Sequence, residues 1–132
     1  FTFNGCTSLT QITIPETVTS IEYCAFSESG LTSVDIPASV EKIAGQAFYL
    51  CNSLKTITLH EGLISVDSMA FTGCTSVKEI FLPRSLTTIG NNAFGYANWS
   101  SKVENFTIHG YAGTAAETYA TENGFTFEAI AE

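Results

Sequence analysis

Lysine and arginine are scarce in this chain: 5 basic residues stand against 13 acidic ones, a formal net charge of -8 over 132 residues. That balance argues against nucleic acid as a partner, because its phosphates demand clustered Lys and Arg. It argues equally against an anionic membrane surface. No apolar run approaches the ~20 residues that a membrane-spanning helix needs, so insertion into a membrane is not expected. Only 2 histidines occur, no glycine-rich phosphate loop is present, and the carboxylates are scattered. The 4 cysteines include no C-x-x-C pair, the spacing at which zinc ligands converge. A Ser/His/Asp arrangement needs positioned partners, and both histidines occupy replaceable positions. The expectation is a chain that is not an enzyme and that holds no cofactor or metal.

What the sequence has in quantity is repetition. The stretch at 54–76, LKTITLHEGLISVDSMAFTGCTS, lays over its neighbours at a shift of 23 residues. Phe71 falls on Phe48 and Phe94, Cys74 on Cys51 and Ala97, and Leu63 on Leu86. A fixed period of this length marks a solenoid and outranks any local secondary-structure assignment. A partial unit occupies 1–8, where Thr2-Phe3 and Cys6 match Ala70-Phe71 and Cys74. Full units follow at 9–30, 31–53 and 54–76. A fourth at 77–102 carries three extra residues around 98–101, and a fifth from Val103 soon leaves the pattern. Because the chain opens on FTFNGC, inside a unit, it reads as a piece of a longer protein whose targeting information lies elsewhere.

Each column of the consensus L-x-x-I-x-I-P-x-x-V-x-x-I-x-x-x-A-F-x-x-C has a physical meaning. The pairs Ile12/Ile14, Val34/Ile36, Ile57/Leu59, Ile80/Leu82 and Phe106/Ile108 alternate with polar residues, which predicts short strands with one buried face. Pro15, Pro37 and Pro83 lack the donor for another ladder bond and end them. His60 and His109 stand in the proline column. Val18 and Ile21, with their equivalents, predict a second short extended piece. The segment x-x-x-A-F-x-x-C then suits one tight helical turn, with Phe filling the wide end of the wedge. No unit buries its apolar columns alone, so stacking at ~4.8 Å must turn each column into a ladder, Phe on Phe and Ile on Ile.

The C-terminus predicts a cap. Thr114 and Glu117 have capping-box spacing, Ala116, Tyr119 and Ala120 share one helix face, Asn123-Gly124 ends the helix, and Phe125-Thr126-Phe127 reads as a last strand.

The segments LTSVDIPASVEKIAGQAF and SVKEIFLPRSLTTIGNNAF resemble the leucine-rich repeats of the bacterial surface-antigen (BspA-like, LRR_5) type. IHGYAGTAAETYATENGFTF is similar to the segment that often ends such arrays. The resemblance covers essentially the whole chain. It implies a leucine-rich-repeat solenoid, α/β by convention but built mostly of short strands and turns. On this reading, an array of about five 23-residue units at 1–108 carries a helix-plus-strand cap at 109–132. The resemblance also implies an extracellular or cell-surface bacterial protein that adheres or binds, rather than a catalyst. Particular family members have been linked to host matrix and plasma proteins, a specificity that is not carried over to this chain; the expected partner is a protein, with host matrix and plasma proteins among the candidates, or a glycan.

The remaining candidates are these. Cys6, Cys51 and Cys74 share a column three after Phe and read as buried small hydrophobes. A Cys51–Cys74 disulfide stays open as the alternative. Cys24 stands outside the column and is expected to be partly exposed. His60 and His109, two units and roughly 10 Å apart by strand spacing, are too distant for one metal and read as strand-end surface residues. Asn98-Trp99-Ser100 and Asn105-Phe106-Thr107 match the glycosylation pattern. The outward strand positions are Gln11/Thr13, Ser33/Asp35, Thr56/Thr58, Glu79/Phe81 and Asn105/Thr107. Phe81 is the aromatic exception among them and, beside Asp35, Thr58 and Glu79, forms the candidate hot spot. Trp99 is a second aromatic candidate, and Lys55 and Arg84 supply basic contacts. The leading functional expectation is a binding module that works through this face, and the alternative is a passive spacer in a larger surface protein. The open N-terminal edge is expected to allow end-to-end self-association.

Overall fold

The computed structural model describes residues 3–131; the part of the first-unit match that falls on Thr2 lies outside them. The chain winds as a solenoid with two strand ladders and a line of turns. The back ladder is one parallel sheet of β1 (Ser20–Ile21), β3 (Lys42–Ile43), β5 (Ser65–Val66) and β7 (Thr88–Ile89). It stacks Ile21, Ile43, Val66 and Ile89 in register, as the Val18/Ile21 columns predict.

The front ladder comes in two pieces. β2 (Ser33–Asp35) pairs with β4 (Thr56–Thr58), and β6 (Glu79–Phe81) pairs with β8 (Thr107–Gly110), which in turn pairs with β9 (Thr126–Ala129). All these pairings are parallel. In each of the three-residue strands the middle residue is buried and its neighbours are exposed. This is the period-2 alternation of a sheet covered on one side only. No strand pairing joins β4 to β6.

Pro15, Pro37 and Pro83 follow the front segments, and the carbonyl of each accepts a bond from the amide three residues on. His60 makes the same turn, its carbonyl accepting from Leu63 N at 3.4 Å. A histidine therefore replaces proline here without altering the path. The first front segment, expected as a strand at Ile12/Ile14, is not one. Thr10 O accepts from Thr32 N, but the residues after it form no ladder.

The A-F-x-x-C segment differs from the expected helical turn. It is a run of reverse turns, with Ala25 N bonded to Glu22 O, Ser27 N to Cys24 O and Ser29 N to Phe26 O. The intervening amides reach across to the next coil: Cys24 N to Gly45 O, Phe26 N to Ala47 O and Glu28 N to Tyr49 O. This alternation needs left-handed residues at fixed places. Cys24, Gln46, Met69 and Asn92 have φ between 55 and 62°, and Glu28 and Leu50 repeat this four residues further on. A helix would have spent every amide within its own coil; the turns leave half of them to tie coil to coil. Gly73 takes the Leu50 position at φ 88°, where an added Cβ would lie 2.9 Å from Leu50 Cα.

The core follows from this winding. Phe3, Phe26, Phe48, Phe71 and Phe94 form one file, with consecutive ring centroids 5.3, 5.2, 4.9 and 5.3 Å apart and planes within 14° of parallel. The cap closes the file. α1 (Ala115–Asn123) buries Ala116, Tyr119 and Ala120, and Gly124 ends it at φ 73°. Tyr119 meets Phe94 edge-on. Its hydroxyl donates to Phe94 O at 2.7 Å and accepts from Phe94 N at 3.0 Å. In every earlier coil the Phe amide bonds to the next coil's alanine carbonyl; after the last coil, one tyrosine hydroxyl replaces that coil.

The capping box does not form. Thr114 Oγ1 donates backward to Tyr111 O at 2.6 Å, and Glu117 accepts from Gly113 N rather than from the N-cap amide.

Candidate functional site

The front ladder positions a row of outward side chains by register. Asp35 lies opposite Thr58, Phe81 opposite His109, and His109 opposite Glu128. Since Phe81 repeats Thr58 at the 23-residue period, the row reads Asp35, Thr58, Phe81, His109, Glu128. A second row beside it holds Ser33, Thr56, Glu79, Thr107 and Thr126. Neither row contains Lys or Arg.

His109 corrects the sequence alignment. Glu79 pairs with Thr107, 28 residues on, whereas Ser33 pairs with Thr56, 23 residues on. The fourth coil is thus longer by five residues, not three. His109 leaves the proline column and stands against Phe81, and Asn105 is no strand residue but a left-handed turn at φ 58°. The insertion folds as a small hairpin closed by the Tyr96–Lys102 bridge. Asn98 Oδ1 accepts from Ser100 N, Ser101 N and Ser100 Oγ, which pins its tip.

Phe81 is 53% exposed. One face of its ring stacks on the imidazole of His109, with centroids 4.2 Å apart and planes 11° from parallel. His109 is held between two carboxylates: Nε2 lies 2.8 Å from Glu79 Oε1, and Nδ1 lies 3.5 Å from Glu128 Oε1. The acids address opposite ring nitrogens, a clamp that orients the ring rather than a metal cage. Among the described residues no group of three His, Cys, Asp or Glu side chains is placed to hold a metal ion. Further along the face, His60 Nε2 meets Asp35 Oδ1 at 2.7 Å. Both histidines therefore have acidic partners that repeat spacing did not reveal. The legible signal for His60 was its lateral position on the coil after Asp35; for His109 and Glu128, the true register was needed.

The other candidates stand apart from the row. Lys55 is exposed at the entry to β4. The guanidinium of Arg84 lies 4.1 Å from the ring centroid of Tyr111. It lines a groove of about 540 Å³ between α1 and the back ladder, away from Phe81. Trp99 is 77% exposed, and its carbonyl accepts from Asn92 in the turn segment, which puts it on the turn side.

Cys24, expected to be partly exposed, is buried, because its left-handed backbone turns the side chain toward Gln46 on the next coil. The four cysteines are free thiols. Those of Cys51 and Cys74 donate to Phe26 O and Phe48 O of the preceding coils. The neighbouring Cys74 thiol holds the Cys51 thiol down, to about 7, and burial pushes that of Cys74 up. The phenol of Tyr119 is also pushed up by burial.

Fold and face together define a repeat solenoid that presents a short parallel sheet to solvent on one side. The chain belongs to the BspA type leucine rich repeat region family, whose model matches residues 1–119 in 6 copies. No curated protein matches it. Among solved structures it is similar to the pneumococcal vaccine antigen PcpA, at 27% identity and a TM-score of 0.59 over 73% of this chain. It spans 23% of that chain's length. A leucine-rich repeat protein from Bacteroides ovatus shares 21% identity at a TM-score of 0.48, over 97% of this chain and 41% of the other.

Proposed function

We propose that this chain is a non-enzymatic binding module of a bacterial surface protein and that it takes its partner on the front strand face. The observation that carries this is Phe81: a half-bare aromatic ring, braced by His109, in the middle of an otherwise small and polar sheet face. Exposed aromatics held rigidly by their neighbours are the side chains on which binding energy concentrates. The BspA-type repeats and the likeness to a vaccine antigen support a location at the cell surface. Thr58 and Glu79 adjoin the anchor and Asp35 stands two coils along the row; Lys55, Arg84 and Trp99 contribute only to a partner large enough to reach past the row.

The test is binding to a panel of immobilised extracellular-matrix and plasma proteins, with a glycan array beside it. Phe81→Ala is expected to weaken the best interaction about tenfold or more, in the range of an aromatic hot spot. Phe81→Ala and Asp35→Ala variants that retain every interaction would overturn the strand-face assignment. A panel on which nothing binds would favour the spacer.

A further inference from the structure

We infer that the front face holds a slot for a cationic side chain, and that the partner segment it fits is an extended basic peptide. This rests on the front face being the contact surface and adds what that surface selects. The stacking of Phe81 on His109 is nearly parallel, and His109 is its neighbour along the row. The normal of the phenyl ring therefore runs along the row. Its second face looks the other way, over Thr58 toward Asp35.

Asp35 lies two coils back, about 10 Å away at the coil repeat of 4.9–5.3 Å that Phe48, Phe71 and Phe94 show on the same coils. Thr58, short and exposed, is the floor between them. The slot thus has an aromatic wall, a hydroxyl floor and a carboxylate wall. Asp35 gives one oxygen to His60, which fixes its direction, and its side chain remains 70% exposed. The absence of strand pairing between β4 and β6 falls under this same slot.

A guanidinium or ammonium group needs about 4 Å to an aromatic face and about 3 Å to a carboxylate oxygen, which this width accommodates. An aromatic face attracts cations through its quadrupole, and the carboxylate supplies the charge-assisted partner. The surroundings agree in sign. Glu79 and Glu128 flank the stack, neither row carries Lys or Arg, and the whole chain has a net charge of -8. A second basic residue two positions along an extended segment would meet Glu79 as the first fills the slot. An acidic peptide meets the carboxylates of Asp35, Glu79 and Glu128.

The probe is an alternating Thr-Arg octapeptide, titrated against the isotope-labelled protein by NMR at low and moderate salt. A Thr-Glu octapeptide, a Thr-Leu octapeptide and a neutral oligosaccharide are run alongside. The expected result is that Thr-Arg alone shifts the resonances of Thr58, Phe81 and Asp35, and that salt weakens it. Phe81→Ala is expected to cost three- to fivefold and Asp35→Asn a similar factor, whereas Phe81→Trp, the better cation-binding ring, tightens binding. Backbone spectra of the variants report whether the fold is kept. If Thr-Leu or the oligosaccharide shifts the same residues as strongly as Thr-Arg, the cation slot is wrong while the binding face stands. If no probe shifts Phe81 or its neighbours, the slot is refuted and the face loses its support as well. Unchanged affinity in Phe81→Trp and Asp35→Asn together would also refute the slot.

Discussion

Tyr119 shows how much one side chain is asked to do at the end of a repeat. Phe94 has no following coil, so its buried amide and carbonyl both depend on the Tyr119 hydroxyl. Removing that oxygen leaves a donor and an acceptor unsatisfied, each costing ~1–3 kcal/mol. Tyr119→Phe should therefore lower unfolding stability by roughly 2–6 kcal/mol in a denaturant titration, although the ring still fits. A loss below about 0.5 kcal/mol would mean that water or another group reaches Phe94. The sequence announced that Tyr119 is buried, through the spacing of Ala116, Tyr119 and Ala120, but not what its hydroxyl binds. Phe94 precedes it by 25 residues, and nothing in helix periodicity points across that gap. Residue-scale chemistry was also hidden at Cys24. Its left-handed backbone recurs at Gln46, Met69 and Asn92, residue types too dissimilar to betray a shared φ.

The elements divide into those the pattern specifies and those the register decides. The Phe file was legible because its spacing is almost constant and its residue never changes. Its members nevertheless differ in weight. Phe71 is enclosed between Phe48 and Phe94, whereas Phe3 is partly buried at the open end with Phe26 on one side. Phe71→Ala should cost about 3–5 kcal/mol, as large-to-small core changes do, and Phe3→Ala clearly less. Equal losses from thermal or denaturant unfolding of the two variants would argue against a file with a weak end. The front strands were legible in alternation and wrong in one pairing. Three extra residues were visible in the fourth unit by aligning apolar positions, and Phe106/Ile108 fitted the Ile80/Leu82 pattern equally well. The pleat has a period of two, so a two-residue slip keeps the same face inward and leaves no hydrophobic penalty to expose the error. The candidate site was therefore half readable: Asp35, Thr58, Glu79 and Phe81 stand where alternation puts them, while His109 and Glu128 emerge only from the ladder.

At the largest scale, the solenoid of residues 3–131 has two unlike ends. α1 and Tyr119 seal one. The other presents β1 as an edge strand and an apolar hollow of about 240 Å³ that Phe3, Ile12, Ile14, Val18, Ile21 and Phe26 help to line. An unsealed ladder end invites pairing. Expressed by themselves, residues 1–132 can join only through this end, giving a dimer rather than a filament. Sedimentation across a concentration series should show a monomer–dimer equilibrium that Ile12→Lys abolishes. A strict monomer at the highest concentration would remove this proposal without touching the fold.

The claim on which the candidate site depends is the pairing of β6 with β8. It is tested most directly by nuclear Overhauser contacts in a sample labelled at histidine and phenylalanine. The structure predicts strong contacts between the His109 imidazole protons and the ring protons of Phe81, with none from His109 to Pro83. Contacts from His109 to Pro83 in place of Phe81 would restore the shorter register, dismantle the aromatic stack and contradict the account of the binding face.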